Sequence, residues 1–387
     1  MKETKKQALN IFCASVATFL SRSHFPSVVS LASSSAYISA VRTLKASTLE
    51  ISLPSETVAH AIHQSTMDFI WNANATPNAS HFSFAIYFAF ACFVARFFLD
   101  RFVFRRLAIR MLTRGRAPSR ITKEMQVKIG KCSESMWKLV YYATVEACIL
   151  KITYHEPWFS NTKLYFKDWP NHELKSSLVI YYMSQCGFYI YSIAAILTWE
   201  TRRKDFSVMF THHIITVLLI GCSYLTSFFR IGSIILALHD ASDVFMEAAK
   251  VFKYSGREFG ASVCFGLFAI SWLILRLIFF PFWVIKSTSI DLQDCLDLSE
   301  PFHMLLYYTF NTLLIMLLIF HIYWWKLICA MINRQLKNRG KVGEDIRSGK
   351  KISSIQIENI ISILFIILFR NRSILRHLPL NVFTLFH

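Results

Sequence analysis

Two apolar stretches of the sequence carry ionisable side chains where a membrane-spanning segment normally has none. The first stretch contains His212 and His213, and the second contains His239, Asp240, Asp243 and Glu247. A short turn near Thr226–Arg230 is expected between them. Ionisable groups are costly inside a bilayer, so they face protein or water and mark a functional site by default. The pattern therefore predicts a polar site between two membrane helices.

Helical spacing puts these side chains on continuous faces. On the second helix, His239, Asp243 and Glu247 stand at positions i, i+4 and i+8, and Asp240 lies beside that face. At about 1.5 Å of rise per residue, His212 and Asp243 each lie on the order of 10 Å inside the same charged end of their helices. Antiparallel packing then predicts that the histidine pair lies level with the aspartate pair.

A histidine beside a carboxylate can do acid–base or nucleophilic chemistry. A buried imidazole acts as a general base or a nucleophile, and a neighbouring carboxylate fixes its tautomer. Two other interpretations stay open for this set of residues. In one, the same buried polar groups simply satisfy one another between helices, which is most plausible for Thr216 and Glu247. Ser223 and Ser242 have no base at a useful spacing, so we propose no serine nucleophile.

The other open interpretation is a metal site. All five candidates are competent ligands: His212, His213, His239, Asp240 and Asp243. Adjacent histidines, however, point about 100° apart on a helix and rarely bind one ion. The HxxxH and HxxHH boxes of membrane di-iron oxygenases are also missing from the sequence. We therefore expect no metal.

Composition places the chain among polytopic helical membrane proteins. Its 387 residues are 54% hydrophobic and 15% aromatic, with a mean hydropathy of +0.40, far from an average soluble domain. The net charge is +18, but the basic residues cluster at the ends of apolar segments. The positive-inside rule explains that distribution better than nucleic-acid binding does. The nine cysteines form no CxxC or zinc-type spacing and are expected to pack as small apolar residues.

Hydropathy predicts an all-α protein with about seven transmembrane helices. The predicted spans are about Phe82–Leu99, Met136–Tyr154, Ser177–Trp199, Phe206–Phe228, Ile231–Phe252, Phe259–Ile285 and Met304–Ile332. The second to the seventh span should enclose most of the site. The chain divides into an atypical Ser/Ala-rich extension (1–80), the transmembrane domain (82–332) and a tail with an atypical C-terminus (333–387). The extension is expected to be lumenal or disordered.

The charges alternate along the chain and predict an orientation. Basic segments follow the first, third, fifth and seventh spans, which places those ends in the cytosol. The N-terminal side, with glycosylation sequons at Asn74 and Asn78, then lies in the lumen, and the C-terminus lies in the cytosol. The His/Asp site opens toward the cytosol, where basic side chains are expected at its mouth: Arg202, Arg203, Lys204, Lys250, Lys253 and Arg257.

The same stretch resembles a known family. The segments HHIITVLLIGCSY and RIGSIILALHDASDVFMEAAKVFKY are similar to the Lag1 motif of ceramide synthases, within the TLC (TRAM–Lag1–CLN8) domain. The resemblance runs from about Phe84 to Ser348 and includes YHEPWFSN, TWETRRKDF and RGKVGEDIRS, which look like the plant branch of the family. It implies a TLC-domain helical bundle. The details look closer to the plant type that uses long rather than very long acyl chains.

The resemblance implies a sphingosine N-acyltransferase of the endoplasmic reticulum membrane. Acyl-CoA would donate a fatty acyl group to the amine of a sphingoid long-chain base that arrives through the bilayer, so no cofactor would be needed beyond acyl-CoA as co-substrate. A homodimer or heterodimer is compatible with the family. The alternative is a non-enzymatic TLC-domain protein that binds lipid or associates with a translocon.

The resemblance also assigns roles to residues. His212 and His213 would carry acyl transfer, while Asp240 and Asp243 orient and charge-balance them. His239 would bind substrate, and Arg202, Arg203 and Lys250 would hold the phosphates of CoA. In ceramide synthases the loop that corresponds to Ser289–Pro301, between the last two spans, is linked to acyl selectivity.

Overall fold

The computed structural model of the protein describes residues 74–113, 122–159, 161–200 and 203–337. Its helices are α1 (Phe82–Leu99), α2 (Arg105–Leu112), α3 (Lys123–Thr153), α4 (Ser176–Thr198), α5 (Phe206–Leu225), α6 (Phe229–Tyr254), α7 (Glu258–Ser271) and α8 (Pro301–Lys337). A π-helical turn at Asp100–Phe104 joins α1 to α2, and α7 continues through π-helical turns at Trp272–Ile285 and Ser287–Asp291. Two-residue strands β1 (Asn74–Ala75) and β2 (Leu174–Lys175) pair antiparallel. The all-α prediction is confirmed.

Five stretches are long and apolar enough to cross a membrane by length and composition: Ala79–Leu112, Ser176–Thr198, Phe206–Leu225, Glu258–Asp291 and Pro301–Lys337. They correspond to the predicted first, third, fourth, sixth and seventh spans. The second and fifth predicted spans form α3 and α6, which are 31 and 26 residues long. Both are long enough to cross a bilayer of roughly 30 Å. Both carry ionisable residues along much of their length, and α6 carries His239, Asp240 and Asp243 of the site.

The helix that contains the predicted second span begins before that span. The helix α3 begins at Lys123 rather than Met136, because the Thr122 side chain accepts a hydrogen bond from the Met125 backbone N–H at 3.3 Å and caps it. Glu124 lies in the first turn, where a negative charge favours the helix dipole. Hydropathy marks the apolar part of a helix, whereas the cap marks where the helix begins.

Six helices form a closed ring. Helix α3 packs against α6, α6 against α7, the π-helical continuation of α7 against α8, α8 against α5, α5 against α4, and α4 against α3. This ring consists of the second to the seventh predicted spans. It holds the ionisable side chains away from lipid, as their cost in hydrocarbon requires.

Helix α1 lies outside this ring and packs against α4. The approach is close at Gly187, where a Cβ atom would stand 2.4 Å from the Ala85 carbonyl oxygen. The outer face of α1 exposes large apolar side chains, including Ile86, Phe90 and Phe97. Such a face suits lipid contact, as expected for a helix at the periphery of a membrane bundle.

The loop between α3 and α4 is fastened to the turn between α5 and α6. Trp169 Nε1 donates to the Thr226 carbonyl oxygen at 2.8 Å, and the His172 ring contacts the Ser227 carbonyl oxygen at 3.0 Å. Arg230 Nη1 donates to the Leu164 carbonyl oxygen at 3.0 Å. These bonds fix the loop over one end of the ring, which the charge pattern predicts to be the lumenal end.

Some predictions concern residues outside the described part of the chain. These are residues 1–73 of the extension, the basic residues within 114–121, Arg202, and residues 338–387 of the tail. The described end of the extension is ordered, since β1 pairs with β2 and the Asn78 side chain caps a 3₁₀ turn at Ala79–His81.

Candidate active site

His212 and His213 lie side by side on α5, inside the ring. Both are buried, and their ring centroids are 5.5 Å apart. The His212 ring also stacks near the His239 ring of α6, at 6.3 Å and an interplanar angle of 27°. The His213 ring meets the Tyr189 ring of α4 edge-on at 5.5 Å. Antiparallel packing of α5 and α6 thus brings the sequence-predicted histidines to one level.

His239 contacts polar atoms through both of its ring nitrogens. Its Nδ1 contacts the Ile235 carbonyl oxygen at 2.6 Å, and its Nε2 contacts His321 Nε2 at 2.8 Å. A carbonyl only accepts hydrogen bonds, so Nδ1 carries the proton and the neutral ring has a lone pair on Nε2. His321 on α8 must then donate from Nε2. The pair defines both tautomers without any carboxylate.

Asp243 pairs with a cation from another helix. Arg276 lies in the π-helical continuation of α7 and is almost fully buried. Its Nη2 atom lies 3.0 Å from Asp243 Oδ2. Its Nε also donates to Ser242 Oγ at 2.9 Å, and its Nη2 donates to the His239 carbonyl oxygen at 2.7 Å. The guanidinium stacks over the Trp272 ring at 4.0 Å. The charge of Asp243 is therefore compensated next to His239.

Asp240 is held from the other side of α6. Gln185 Nε2 on α4 donates to Asp240 Oδ2, and Gln185 Oε1 accepts from the Tyr141 hydroxyl at 2.9 Å. Gln185 Nε2 also contacts the Tyr181 hydroxyl at 3.2 Å. Asp240 is fully buried, and its Oδ1 finds no partner among the described residues. This network links α3, α4 and α6.

The structure does not bring the aspartates into hydrogen-bonding contact with the paired histidines. Within residues 74–113, 122–159, 161–200 and 203–337, no hydrogen bond joins Asp240 or Asp243 to His212 or His213, and the Nδ1 atoms of both histidines lack a partner. The sequence expectation that these carboxylates orient the two rings directly does not fit this geometry. The reason is that Arg276 and Gln185 reach the carboxylates from other helices.

Two of the basic residues expected at the mouth of the site form ion pairs at one end of the ring. Arg203 Nη2 lies 3.7 Å from Glu134 Oε1, and Lys250 Nζ lies 2.7 Å from Glu247 Oε1. Lys138 bridges Glu134 at 3.0 Å and Glu200 at 2.9 Å. Arg202 lies outside the described residues. This end combines cations with acidic partners, so its cations are held in position.

Trp324 covers His212 at this end. The ring of Trp324, on α8, meets the His212 ring edge-on at 5.3 Å, and its Nε1 donates to Asp205 Oδ2 at 3.1 Å. Phe320 contacts the same imidazole, with centroids 6.5 Å apart. Asp205 comes directly before α5, so the turn before α5 and the last described helix together exclude water from His212.

An apolar cavity runs from the histidine level into the ring. His239, Thr216 and Tyr189 line one end. Phe166, Phe228, Phe310, Thr288 and Leu292 line the other end, and aliphatic side chains such as Leu236 and Leu317 line the middle. A polar group at one end of a long hydrocarbon-lined space suits a ligand with a reactive head and an apolar chain.

Comparison with known proteins gives the family. The TLC domain model matches residues 131–330. The chain is 64% identical to Ceramide synthase LOH2 of Arabidopsis thaliana over 269 residues, which cover 69% of this chain and 91% of that protein. It is 46% identical to Ceramide synthase 1 LOH3 of the same plant over 297 residues, covering 74% and 96% of the two chains. The chain belongs to the ceramide synthase family. Ceramide synthase 4 of Mus musculus is 38% identical over 218 residues, covering 56% and 54% of the two chains.

Three site residues of this ceramide synthase family member escaped the sequence analysis. His321 has no carboxylate neighbour at helical spacing, so the sequence gives no sign that it bonds to His239. Arg276 lies inside the predicted sixth span, and the cost of a buried charge marks it as strongly as it marks Asp243. Gln185 was not singled out, because a neutral amide gives a weak signal in an apolar segment.

Proposed function

We propose that this protein is a ceramide synthase that transfers a fatty acyl group from acyl-CoA to the amine of a sphingoid long-chain base. The observation that carries the proposal is the cavity that ends at His239, beside His212 and His213. The acyl chain would lie in the apolar part, and the thioester carbonyl would lie among the histidines. Membership of the ceramide synthase family supports the same activity.

The reaction needs a nucleophile and a place for one proton. A neutral imidazole nitrogen of His212 or His213 attacks the thioester carbonyl carbon, an N–C bond forms, and the C–S bond breaks. The CoA thiolate leaves and accepts the N–H proton of the ring, which gives the free CoA thiol and a neutral acyl-imidazole. The neutral amine of the long-chain base then attacks the acyl-imidazole, and the C–N bond to the ring breaks. The amine proton returns to the imidazole, so the enzyme is regenerated.

The surroundings fit each part of this scheme. Trp324 and Phe320 exclude water from His212, which protects an acyl-imidazole from hydrolysis. Asp240 and Asp243 do not bond to His212 or His213, so they would stabilise the positive charge that develops on a ring only through space. Asp243 would contribute less, because Arg276 already compensates its charge. His239, fixed by His321 and Ile235, lines the cavity where the carbonyl would lie and serves as a substrate-binding residue.

Acyl-CoA would enter from the end that carries Arg203 and Lys250, whose cations suit the phosphates of CoA. That end is cytosolic by the charge pattern, and acyl-CoA is a cytosolic metabolite. The N-terminus would then be lumenal, the C-terminus cytosolic, and the membrane that of the endoplasmic reticulum. The long-chain base would reach the ring through the bilayer.

The orientation can be tested separately. A protease-cleavable tag inserted in the turn before α5 should be cut in sealed microsomes, and an endoglycosidase should increase the mobility of a protein glycosylated at Asn78. A protected tag would place the histidine end in the lumen and contradict entry of acyl-CoA from the cytosol.

The activity is tested by incubating membranes that contain the protein with acyl-CoA and sphinganine, and by measuring ceramide with mass spectrometry. Membranes from cells that lack endogenous ceramide synthase provide the background. We expect ceramide only when both substrates are present. If membranes with correctly inserted protein made none from any acyl-CoA, the protein would belong with the non-enzymatic TLC-domain proteins.

A further inference from the structure

Three phenylalanine rings close the end of the cavity that lies farthest from the histidines. Phe166 comes from the α3–α4 loop, Phe228 from the turn before α6, and Phe310 from α8. Phe228 meets Phe166 edge-on at 5.8 Å and Phe310 edge-on at 5.3 Å. All three are buried, with exposed fractions of 2%, 3% and 6%. We call these three rings the floor of the cavity.

The depth of the floor can be read along two helices. Phe228 precedes His239 by eleven residues, and Phe310 precedes His321 by eleven residues. At about 1.5 Å per residue, both give a distance of about 16 Å between the histidine level and the floor. This is about half of a hydrocarbon core of roughly 30 Å, the depth that the acyl chains of one leaflet fill. A chain much longer than that of a common membrane lipid would meet the three rings.

The α3–α4 loop holds the floor in place. Trp169 stacks on Phe228 with centroids 5.3 Å apart, and its Nε1 donates to the Thr226 carbonyl oxygen at 2.8 Å. Arg230 binds the loop carbonyl of Leu164 at 3.0 Å. Phe166 therefore keeps a fixed position against Phe228. Close packing of this kind yields little when a ligand presses on it.

We propose that Phe166, Phe228 and Phe310 set the longest acyl chain that this enzyme accepts, and that the α3–α4 loop is a determinant of acyl specificity through Phe166. This inference rests on the proposed function, because it assumes that the cavity holds the acyl chain. The residues Thr288 and Leu292 also line this end, so the segment before the last span contributes to the same wall. The loop of Phe166 is a separate contribution from a different part of the sequence.

The test is competition between palmitoyl-CoA, stearoyl-CoA and lignoceroyl-CoA with sphinganine, measured as the ratio of ceramide products. Wild-type protein should favour the two shorter chains. Phe228→Ala and Phe166→Ala should each raise the lignoceroyl share relative to palmitoyl by about tenfold or more, since one methylene that fits or fails to fit a hydrophobic pocket changes selectivity by at least that factor.

Matched controls are available beside Phe228 and Phe166. Phe229 is as buried as Phe228 but packs against His172 and does not line the cavity. Tyr165, next to Phe166, is also buried and does not line the cavity. Phe229→Ala and Tyr165→Ala should keep the wild-type product ratio, whatever they do to stability. Size-exclusion chromatography in detergent identifies folded variants, and Phe228→Leu and Phe166→Leu replace any alanine variant that does not fold.

The outcomes separate the two claims. If wild-type protein makes no ceramide from any acyl-CoA, the proposed function fails. If wild-type protein is active and folded floor variants keep its product ratio, the floor does not measure the chain and the inference is overturned. Equal loss of activity toward all three acyl-CoAs in folded floor variants would overturn it as well, because the rings would then maintain the site rather than limit the chain.

Discussion

The Nε2 atoms of His239 and His321 lie 2.8 Å apart, although the two residues are on different helices. His239 already donates through Nδ1 to the Ile235 carbonyl oxygen, so His321 is the donor of the pair. His321 is fully buried and contacts Trp272 and Phe280 with its ring. The pair fixes the orientation of a histidine that lines the cavity, and it does so from the last helix.

We expect His321→Leu to lower ceramide formation by about tenfold to a hundredfold, since removing an outer hydrogen-bond partner of a site residue commonly costs that much. His321→Gln retains an N–H donor and should keep more activity than His321→Leu. The measurement is kcat and KM for both substrates. His303→Leu, at the start of α8 and away from the cavity lining, is the control and should act as wild type. Equal activity of the leucine and glutamine variants would contradict a positioning role.

His212→Ala and His213→Ala should each reduce turnover by roughly a hundredfold or more, because each removes an imidazole needed for attack or proton transfer. Intact-protein mass after exposure to acyl-CoA without long-chain base should increase by one acyl group in wild type. The variant that lacks the acylated histidine should show no increase. Normal turnover by both folded alanine variants would contradict the catalytic assignment.

Arg276→Met should destabilise the protein by about 3 kcal/mol, because it leaves the Asp243 carboxylate buried without its cation. Asp243→Asn in the same chain removes the orphaned charge and should restore part of the lost stability. Thermal unfolding in detergent measures both effects. If the double variant were no more stable than Arg276→Met, the ion pair would not be the reason for the loss. Asp243→Asn alone should slow turnover strongly.

Gly232→Ala should cost about 1–3 kcal/mol, the usual effect of overpacking. A Cβ atom at this position would stand 1.9 Å from the hydroxyl oxygen of the fully buried Tyr182. Tyr182→Phe removes that oxygen and should recover part of the loss in the double variant. Gly266→Ala is the control, because nothing lies within 4 Å of its Cβ position and alanine favours the helix. It should leave the unfolding temperature unchanged or raise it.

His172 should make stability depend on pH. Burial and the nearby Arg230 guanidinium lower the pKa of His172 from its usual 6.5, although two backbone carbonyls at its ring nitrogens oppose the shift. The folded protein therefore resists protonation that the unfolded chain accepts, so this contribution is present above about pH 6.5 and is lost as the pH falls below it. The unfolding temperature of wild type should drop more than that of His172→Gln between about pH 7.5 and about pH 5.5. Parallel curves would contradict the effect.

The sequence predicted those features that depend on the cost of burying an ionisable side chain or on residue spacing along a helix. Ionisable residues at membrane depth identified His212, His213, His239, Asp240 and Asp243, and the structure gathers the three histidines inside one ring. The predicted span limits lie near the helix ends wherever an apolar segment and its helix coincide. The two differ most for α3, whose charged first turns lie outside the apolar stretch that hydropathy detects.

The remaining features depend on contacts between distant parts of the chain. His321 follows His239 by 82 residues, and nothing near it in sequence indicates a partner. Arg276 could have been recognised, since a cation in an apolar span needs a carboxylate and Asp243 was already a candidate. The cavity floor could not, because Phe166, Phe228 and Phe310 are ordinary apolar residues until three separate segments bring them together.

The ring is completed by α8, the last helix of the described chain, and this sets an order of assembly. Until α8 inserts between α5 and the continuation of α7, the polar side chains of α5 and α6 have an open side. The same helix brings His321 to His239, Trp324 over His212 and Phe310 to the floor. A nascent chain that has not yet released its last span thus has neither a closed pocket nor a protected histidine. Catalytic competence therefore begins only when synthesis of the membrane domain has finished.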